Sequence, residues 1–244
     1  MKKRINYLVI TLVGIIFILG IILGLVINSD KNKITTTKYD EKISISQKEI
    51  TLVGVDSNGK GVSAVMSVEV KPGTGLVLVD IDNLLADYMS QISARTAAKV
   101  AENITKIRLD NIDLIYHIKA NASVIEGPSA GSAMTIATIA ALQNRTINRD
   151  VLITGTIEND GSINSVGGIK EKAEAAKYSG AKIFLVPKSN YLGDYEEVKA
   201  CKKTGNTEYC QVIYKPKDGG LDKELGIQVI EVASISDAIP YMIK

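Results

Sequence analysis

The longest apolar run of the chain lies close to its beginning. Residues 7–27 contain no charged side chain and consist mainly of Ile, Leu, Val and Gly. At a rise of ~1.5 Å per residue, a helix of this length spans roughly 30 Å, which matches the hydrocarbon core of a bilayer. The pattern therefore predicts a transmembrane anchor, preceded by a basic N-terminus at residues 1–6 and followed by a polar linker at residues 28–42.

A cleaved signal peptide is the alternative interpretation of this segment. Its apolar region is usually ~7–15 residues long and ends in a small-x-small cleavage site. The apolar run is longer than that, and residues 24–30 show no clean site, so an uncleaved anchor is favoured. Positive residues are denser before the run than after it (Lys2, Lys3 and Arg4 against Lys31, Lys33 and Lys38). This bias favours a cytoplasmic N-terminus with the bulk of the chain outside.

From residue 43 onward, strand-like and helix-like patterns alternate. The turn signal Asn58-Gly59 lies between two β-branched runs and predicts a hairpin. The predicted strands are 49–55, 61–70, 75–81, 112–118, 151–157, 182–186 and 227–232, and the predicted helices are 83–104, 129–142, 169–178 and 236–243. Residues 189–226 are polar and rich in turn residues, which predicts a long loop. The alternation predicts one compact α/β domain with mixed sheets over residues 43–244.

Net charge and motif content argue against nucleic-acid binding and against nucleotide binding. The net charge is only +2, so nothing suggests a nucleic-acid partner. Residues Gly54 to Lys60 match the first seven positions of a phosphate-binding loop, but Gly61 replaces the Ser or Thr that would hold magnesium. A strand-like pattern follows where that motif requires a helix. We therefore predict no nucleotide site at this segment.

The chain has two cysteines, Cys201 and Cys210, which bracket a short polar segment. A disulfide between them would close that segment, as is common in extracytoplasmic domains. Two unrelated thiols are the alternative. A zinc site is disfavoured because no His or further Cys lies nearby in the sequence.

Ser129 is the first candidate for chemistry. It follows Gly127-Pro128 and precedes a run of small residues that opens a predicted helix. Small side chains let a substrate approach closely, and the free N–H groups at a helix start could stabilise an oxyanion. The alternative role for Ser129 is that of a helix N-cap, which serines often fill.

A nucleophilic serine needs a base, and the chain offers a lysine or its single histidine. Lys172 shares one face of its predicted helix with Ile169, Ala173 and Ala176, whereas the neighbouring charges Lys170, Glu174 and Lys177 share another. Burial on an apolar face would lower the pKa of Lys172. The alternative is a lysine whose stem covers apolar surface while its amine stays in water. His117 lies on an apolar strand, which is more typical of a core histidine than of a triad member.

These residues resemble the proteolytic domain of the Lon family of serine–lysine peptidases. The resemblance rests on three segments: Gly127-Pro128-Ser129-Ala130-Gly131, Thr154-Gly155, and Gly167-Gly168-Ile169-Lys170-Glu171-Lys172. It implies that Ser129 is the nucleophile, that Lys172 is the general base, and that Thr154 hydrogen-bonds the lysine amine. Glu126 stands where these enzymes commonly have Asp, and His117 stands where relatives often carry His. The resemblance also implies assembly into a homo-oligomeric ring, often a hexamer.

Lon enzymes usually carry an ATP-driven unfoldase on the same chain, and the linker here leads directly into the proteolytic domain. We therefore expect a membrane-anchored serine endopeptidase for unfolded or extended polypeptides, without its own ATPase. This chemistry implies no metal or organic cofactor. The disulfide-closed segment within residues 189–226 resembles an insertion into the family domain. Two alternatives stay open: a non-catalytic module that binds polypeptides as a scaffold, and a protease subunit driven by a separate ATPase partner.

Overall fold

The computed structural model describes residues 14–21, 45–82, 88–120, 127–188, 195–204, 207–216 and 220–244. The chain divides into two compact units, residues 1–42 and residues 43–244. In the first unit, residues 14–21 form a helix, α1, whose side chains are exposed. Among the helices in the described ranges, none is both long and apolar enough to cross a membrane. The rest of the predicted anchor, the predicted linker and Glu126 lie outside the described residues.

The second unit begins with a four-stranded mixed sheet, which confirms the predicted hairpin and the mixed α/β class. The order across the sheet is β1-β2-β4-β3, with β1, β2 and β4 antiparallel and β3 parallel to β4. The strands are β1 Ser46–Val55, β2 Gly61–Pro72, β3 Val77–Asp82 and β4 Ile112–Ala120. Alternate residues on β2 and β4 are buried, so one face of the sheet forms the wall of the core.

Two helices cover that face of the sheet. Helix α2 spans Tyr88–Thr105, and α3 spans Gly131–Leu142 at the centre of the unit. Every residue of α3 from Gly131 to Ala141 is buried. Because α3 is buried on all sides, a hydroxyl group on it is stabilised by an internal partner: Thr138 Oγ1 lies 2.7 Å from the hydroxyl of Tyr116 on β4. This network fixes α3 against the sheet.

A second sheet is parallel, with the order β11-β8-β5. Its strands are β5 Val151–Ile153, β8 Ile183–Pro187 and β11 Gln228–Val232, and its flanking helices are α4 Ile169–Tyr178 and α6 Ile235–Met242. The two faces of β8 pack into different apolar clusters. One cluster includes residues of α3 and α6, and the other includes residues of α4. Ser234 is the N-cap of helix α6, and its side chain forms a capping box with Asp237.

The structure corrects the predicted strand 151–157. It breaks at Thr154-Gly155 and continues as β6, Thr156–Ile157, which pairs with β7, Ile163–Asn164, in a separate ribbon. The break is at Gly155, whose φ of +151° is rarely adopted by residues with side chains.

The structure also corrects the predicted loop 189–226. This segment contains a hairpin of β9, Tyr195–Thr204, and β10, Thr207–Pro216, followed by the short helix α5, Gly220–Leu225. The sequence did not reveal the hairpin because a two-stranded ribbon needs no continuous apolar face. Its strands therefore lack the alternation of apolar and polar residues that marks a strand covering a core.

Candidate active site

Ser129 lies in a single turn of 3-10 helix, Pro128–Ala130, immediately before α3. Gly127 starts this turn with a φ of +101°, and α3 itself begins at Gly131. The predicted helix start at Ser129 is therefore two residues early. The residue before α3 is Ala130, and no side chain caps the helix. The N-cap role proposed as the alternative for Ser129 does not occur, and Ser129 is partly exposed.

Residues Thr154 and Gly155, between β5 and β6, hold the Ser129 turn in place by hydrogen bonds, and we call this pair the Thr154-Gly155 brace. The carbonyl oxygen of Ser129 accepts the N–H of Gly155 at 3.0 Å and the hydroxyl of Thr154 at 3.3 Å. In return, the N–H of Ser132 donates to the carbonyl oxygen of Gly155 at 3.1 Å. A Cβ on Gly155 would collide with Cγ2 of Ile163. These contacts fix the backbone on both sides of the Ser129 hydroxyl.

The turn also presents an unused hydrogen-bond donor. Within the described ranges, no acceptor takes the N–H of Ser129. This group lies at the positive end of α3, next to the Ser129 hydroxyl. An N–H group in such a position can stabilise negative charge on a carbonyl oxygen that is under attack.

Lys172 lies in the first turn of α4, which begins after Gly168, a residue in the left-handed conformation. Lys172 is only 5% exposed, and Ala173 and Ala176 on the same face are fully buried. Lys170 and Lys177 are exposed, as the helical spacing predicts. Among the residues whose burial the structure describes, Lys172 is the only buried charged side chain. Its burial argues against an amine that extends into water.

Burial changes the protonation of Lys172. Desolvation lowers the pKa of its amine from 10.5 to about 8, against the opposing effect of the neighbouring Glu171 carboxylate, which raises it. With such a pKa, roughly a tenth of the molecules carry a neutral amine at pH 7 and about half at pH 8. An ordinary lysine would be neutral in fewer than about one molecule in a thousand at pH 7.

Helix α4 packs closely against the end of the β1–β2 hairpin. A Cβ on Gly61 would collide with the carbonyl oxygen of Glu171, and a Cβ on Gly168 would lie 2.6 Å from Cγ2 of Val55. Strand β1 contacts both α4 and the Ser129 turn. β1 therefore contacts both the element that carries Ser129 and the element that carries Lys172.

Among the described residues, no hydrogen bond joins Ser129 Oγ to Lys172 Nζ or Thr154 Oγ1 to Lys172 Nζ. The Thr154 hydroxyl donates to the Ser129 carbonyl, which leaves its lone pairs as acceptors. Hydrogen bonds between catalytic groups are often long without substrate and tighten when it binds. A hydrogen bond from Lys172 to Thr154 stays a prediction.

His117 lies on the face of β4 that points away from α3, with one third of its side chain exposed. Its Nδ1 is 3.0 Å from Oδ2 of Asp80, and its Nε2 is 3.9 Å from Oε2 of Glu69. The expectation of a buried core histidine is wrong, because the alternation along β4 turns this position outward. Both ring nitrogens face carboxylates, and none of these contacts involves Ser129.

Sequence reasoning assigned no role to two further residues at the site. Gly155 braces the Ser129 turn, and the signal for it was a glycine that interrupts a strand pattern. Ser132 is fully buried, and its hydroxyl has no partner among the described residues. Only its place one turn after Ser129 could have drawn attention to it.

Part of the chain that contains this site is similar in sequence to known proteins. The model of the Lon protease (S16) C-terminal proteolytic domain matches residues 33–211. The chain belongs to this family. A Lon protease of Phenylobacterium zucineum is 32% identical over 161 residues, which cover 64% of the chain and 20% of that relative. Lon protease 2 of Thermus thermophilus is 34% identical over 131 residues, covering 51% of the chain and 16% of the relative.

A shorter match is closer in sequence. Lon protease 2 of Syntrophobacter fumaroxidans is 41% identical over 81 residues, 33% of the chain and 10% of the relative. The chain thus spans a fifth or less of the length of these Lon proteases. The Ser129 turn, the Thr154-Gly155 brace and α4 all lie within the part that matches the family.

Proposed function

We propose that this protein is a serine endopeptidase in which Ser129 is the nucleophile and Lys172 the general base. The observation that carries the proposal is the burial of Lys172, which brings its pKa to about 8. Burying an ionisable side chain that has no charged partner costs folding free energy, so such a side chain is rare at positions that serve only the structure. A lysine that is neutral in a useful fraction of molecules can accept the proton of a serine hydroxyl.

The proposed reaction has two halves. In the first, Ser129 Oγ attacks a peptide carbonyl carbon while Lys172 Nζ takes the hydroxyl proton, and the N–H of Ser129 stabilises the oxyanion. The protonated amine then gives its proton to the leaving nitrogen, which releases the first product. In the second half, a water molecule attacks the acyl carbon while Lys172 takes its proton. The bond between that carbon and Ser129 Oγ then breaks, Lys172 returns the proton to Oγ, and the second product leaves with a new carboxyl group.

The outer edge of β1, which pairs with no described strand, is the place where we propose that the substrate binds. β1 is an edge strand, and in its ladder the N–H of Asp56 bonds to the carbonyl of Lys60. Hydrogen-bonded and non-hydrogen-bonded pairs alternate along an antiparallel ladder, so Val53 and Thr51 fall on positions whose backbone groups point away from β2. An extended polypeptide could pair with these groups next to the Ser129 turn. This favours unfolded or extended substrates over folded ones.

The substitution Thr51→Pro tests that binding mode. It removes one outward N–H and no bond to β2, so the sheet should persist. We expect KM for a peptide substrate to rise about tenfold, with a smaller effect on kcat. Gln47→Pro is the matched control, because it removes an N–H of the same orientation farther along β1 from the hairpin end. Equal effects of the two changes on KM would contradict substrate binding at this edge.

Hydrolysis of an unfolded protein such as casein by the purified chain, with and without ATP, tests the function itself. We expect activity without ATP, loss of it in Ser129→Ala and Lys172→Met, and retention in Lys170→Met. A serine-reactive fluorophosphonate should label the wild type and not Ser129→Ala. A folded protein that binds casein but neither cleaves it nor reacts with the probe would support the scaffold alternative. Activity that appears only with an added ATPase would support the partner-driven alternative.

We further propose that residues 7–27 anchor the chain in a lipid bilayer with the proteolytic domain outside the cytoplasm. The apolar side chains of α1 are exposed, and exposed apolar surface of this extent needs an apolar environment. Resistance of the chain to extraction from membranes by alkaline carbonate tests the anchor. After reduction, labelling of Cys201 in intact cells by an impermeant thiol reagent tests the orientation; absence of labelling until lysis would contradict it.

Assembly into a homo-oligomeric ring is part of the proposal because the family resemblance implies it. Light scattering of the detergent-solubilised chain measures the number of protomers, and a stable monomer that retains full activity would contradict it.

A further inference from the structure

The β9–β10 hairpin is held almost entirely by itself. Its strands pair along their full length, from Tyr195 opposite Pro216 to Thr204 opposite Thr207. Among the described elements, no other helix or strand makes more than marginal contact with either strand. No described strand pairs with their outer edges. A two-stranded hairpin without such support is marginally stable in water.

A covalent link supplies the missing support. Cys201 is disulfide-bonded and exposed, and Cys210, the only other cysteine of the chain, stands opposite it in the ladder. The pair lies towards the tip of the ribbon. Closing a loop of about ten residues removes enough freedom from the open chain to favour the closed hairpin by roughly 100-fold.

We propose that this hairpin is a redox-controlled self-cleavage segment, an inference that rests on the proposed peptidase function. A dithiol reductant transfers two electrons and two protons to the Cys201–Cys210 disulfide, which yields two thiols, while the reductant becomes a disulfide. The opened segment is then an extended polypeptide of the kind that the site accepts. Ser129 of a second copy attacks one of its peptide bonds, and water adds across that bond to leave a new carboxylate and a new amine.

The nicked product should stay assembled. β11 is held by its parallel ladder to β8, and α6 lies in the main core through Ile235, Ala238 and Met242. Both elements follow the hairpin in the chain, and neither depends on it for packing. Cleavage therefore separates the chain into two fragments that remain together under native conditions.

The opening step is tested in the full chain carrying Ser129→Ala, which prevents self-cleavage. Trypsin cuts after lysine unless proline follows, and the hairpin contains three such sites, at Lys199, Lys202 and Lys203. We expect the rate of tryptic cutting within the hairpin to rise about 100-fold when dithiothreitol is added, and to be equally high in Ser129→Ala with Cys201→Ser and Cys210→Ser. Equal rates with and without reductant would overturn the proposal.

The cleavage step is tested by mixing wild-type chain with an affinity-tagged Ser129→Ala chain as substrate. Under reduction we expect the tagged chain to be cut between residues 189 and 226, and to be left intact when oxidised or when the wild type is omitted. Casein in a parallel reaction separates the two hypotheses. If casein is degraded and the reduced hairpin survives, self-cleavage is overturned while the peptidase function stands. If neither is cut, the peptidase function fails, and self-cleavage with it.

Discussion

The turn of Ser129 and the helix of Lys172 prepare their side chains in different ways. The turn is partly exposed and is held by backbone hydrogen bonds from the Thr154-Gly155 brace. Helix α4 is held by apolar packing, and the Lys172 side chain is removed from water. A nucleophile needs a fixed position, whereas a base needs a changed pKa. The turn should therefore be sensitive to changes in backbone shape, and the helix to changes in charge.

The largest expected effect comes from Lys172→Arg, which keeps the positive charge and removes the ability to lose a proton. A guanidinium group does not deprotonate in proteins, so it cannot act as a base. We expect kcat/KM for a fluorogenic peptide to fall by at least about 1,000-fold. Lys170→Arg on the exposed side of α4 should leave it unchanged. A Lys172→Arg protein with more than a tenth of wild-type activity would mean that Lys172 is not the base.

Gly155→Ala disturbs the backbone that holds the Ser129 turn in position. The φ of +151° is unfavourable for alanine, and the new Cβ would collide with Ile163, so the brace must shift away from Ser129. We expect a loss of unfolding free energy of about 3 kcal/mol in urea, and a loss of activity of about 100-fold in the protein that stays folded.

Gly59→Ala is the matched control for Gly155→Ala. Gly59 also has a positive φ, of +76°, but open space surrounds it in the hairpin turn. Its substitution should cost about 1 kcal/mol through the backbone alone and leave kcat unchanged. If the two variants lost the same activity, the brace would not position the nucleophile.

Lys172→Met measures how much stability the buried lysine costs. The pKa of Lys172 is about 8 in the folded protein and 10.5 in the unfolded one, so the unfolded chain binds more protons between these values. Stability of the wild type therefore rises with pH across that window, and the full cost of burial remains below pH 8. We expect Lys172→Met to be more stable than the wild type by roughly 2–3 kcal/mol at pH 7, and the difference to shrink towards pH 10.5.

The control for this measurement is Lys170→Met on the same helix. Lys170 is exposed and pairs with Glu224 at 2.6 Å, an arrangement that contributes at most about 1 kcal/mol. Its loss should change stability slightly and in the opposite direction. Lower stability of Lys172→Met at pH 7 would show that its amine is solvated in the folded protein.

The two regions also differ in how well the sequence predicted them. Helical spacing along α4 distinguished Lys172 from Lys170, because burial on one face of a helix is a local, periodic property. The Ser129 turn was predicted as the start of an α-helix, since nothing local signals a 3-10 turn there. Its brace depends on a glycine 26 positions away, and pairing over such distances leaves no periodic pattern. The mixed α/β class was predictable because most strands cover a core and alternate accordingly.

The smallest expected effect comes from Glu171→Gln, which changes the pKa of the Lys172 amine and leaves the lysine side chain itself in place. The Glu171 carboxylate raises the pKa of Lys172, against the larger effect of burial. Neutralising it should lower that pKa, so a neutral amine becomes available at lower pH. We expect kcat/KM of the wild type to rise with pH around a midpoint near 8, and we expect this midpoint to move to lower pH in Glu171→Gln, with no change in the plateau. Glu174→Gln, on the same helix, should leave the profile in place. A shift to higher pH in Glu171→Gln would show that the titrating group in the profile is not the amine of Lys172.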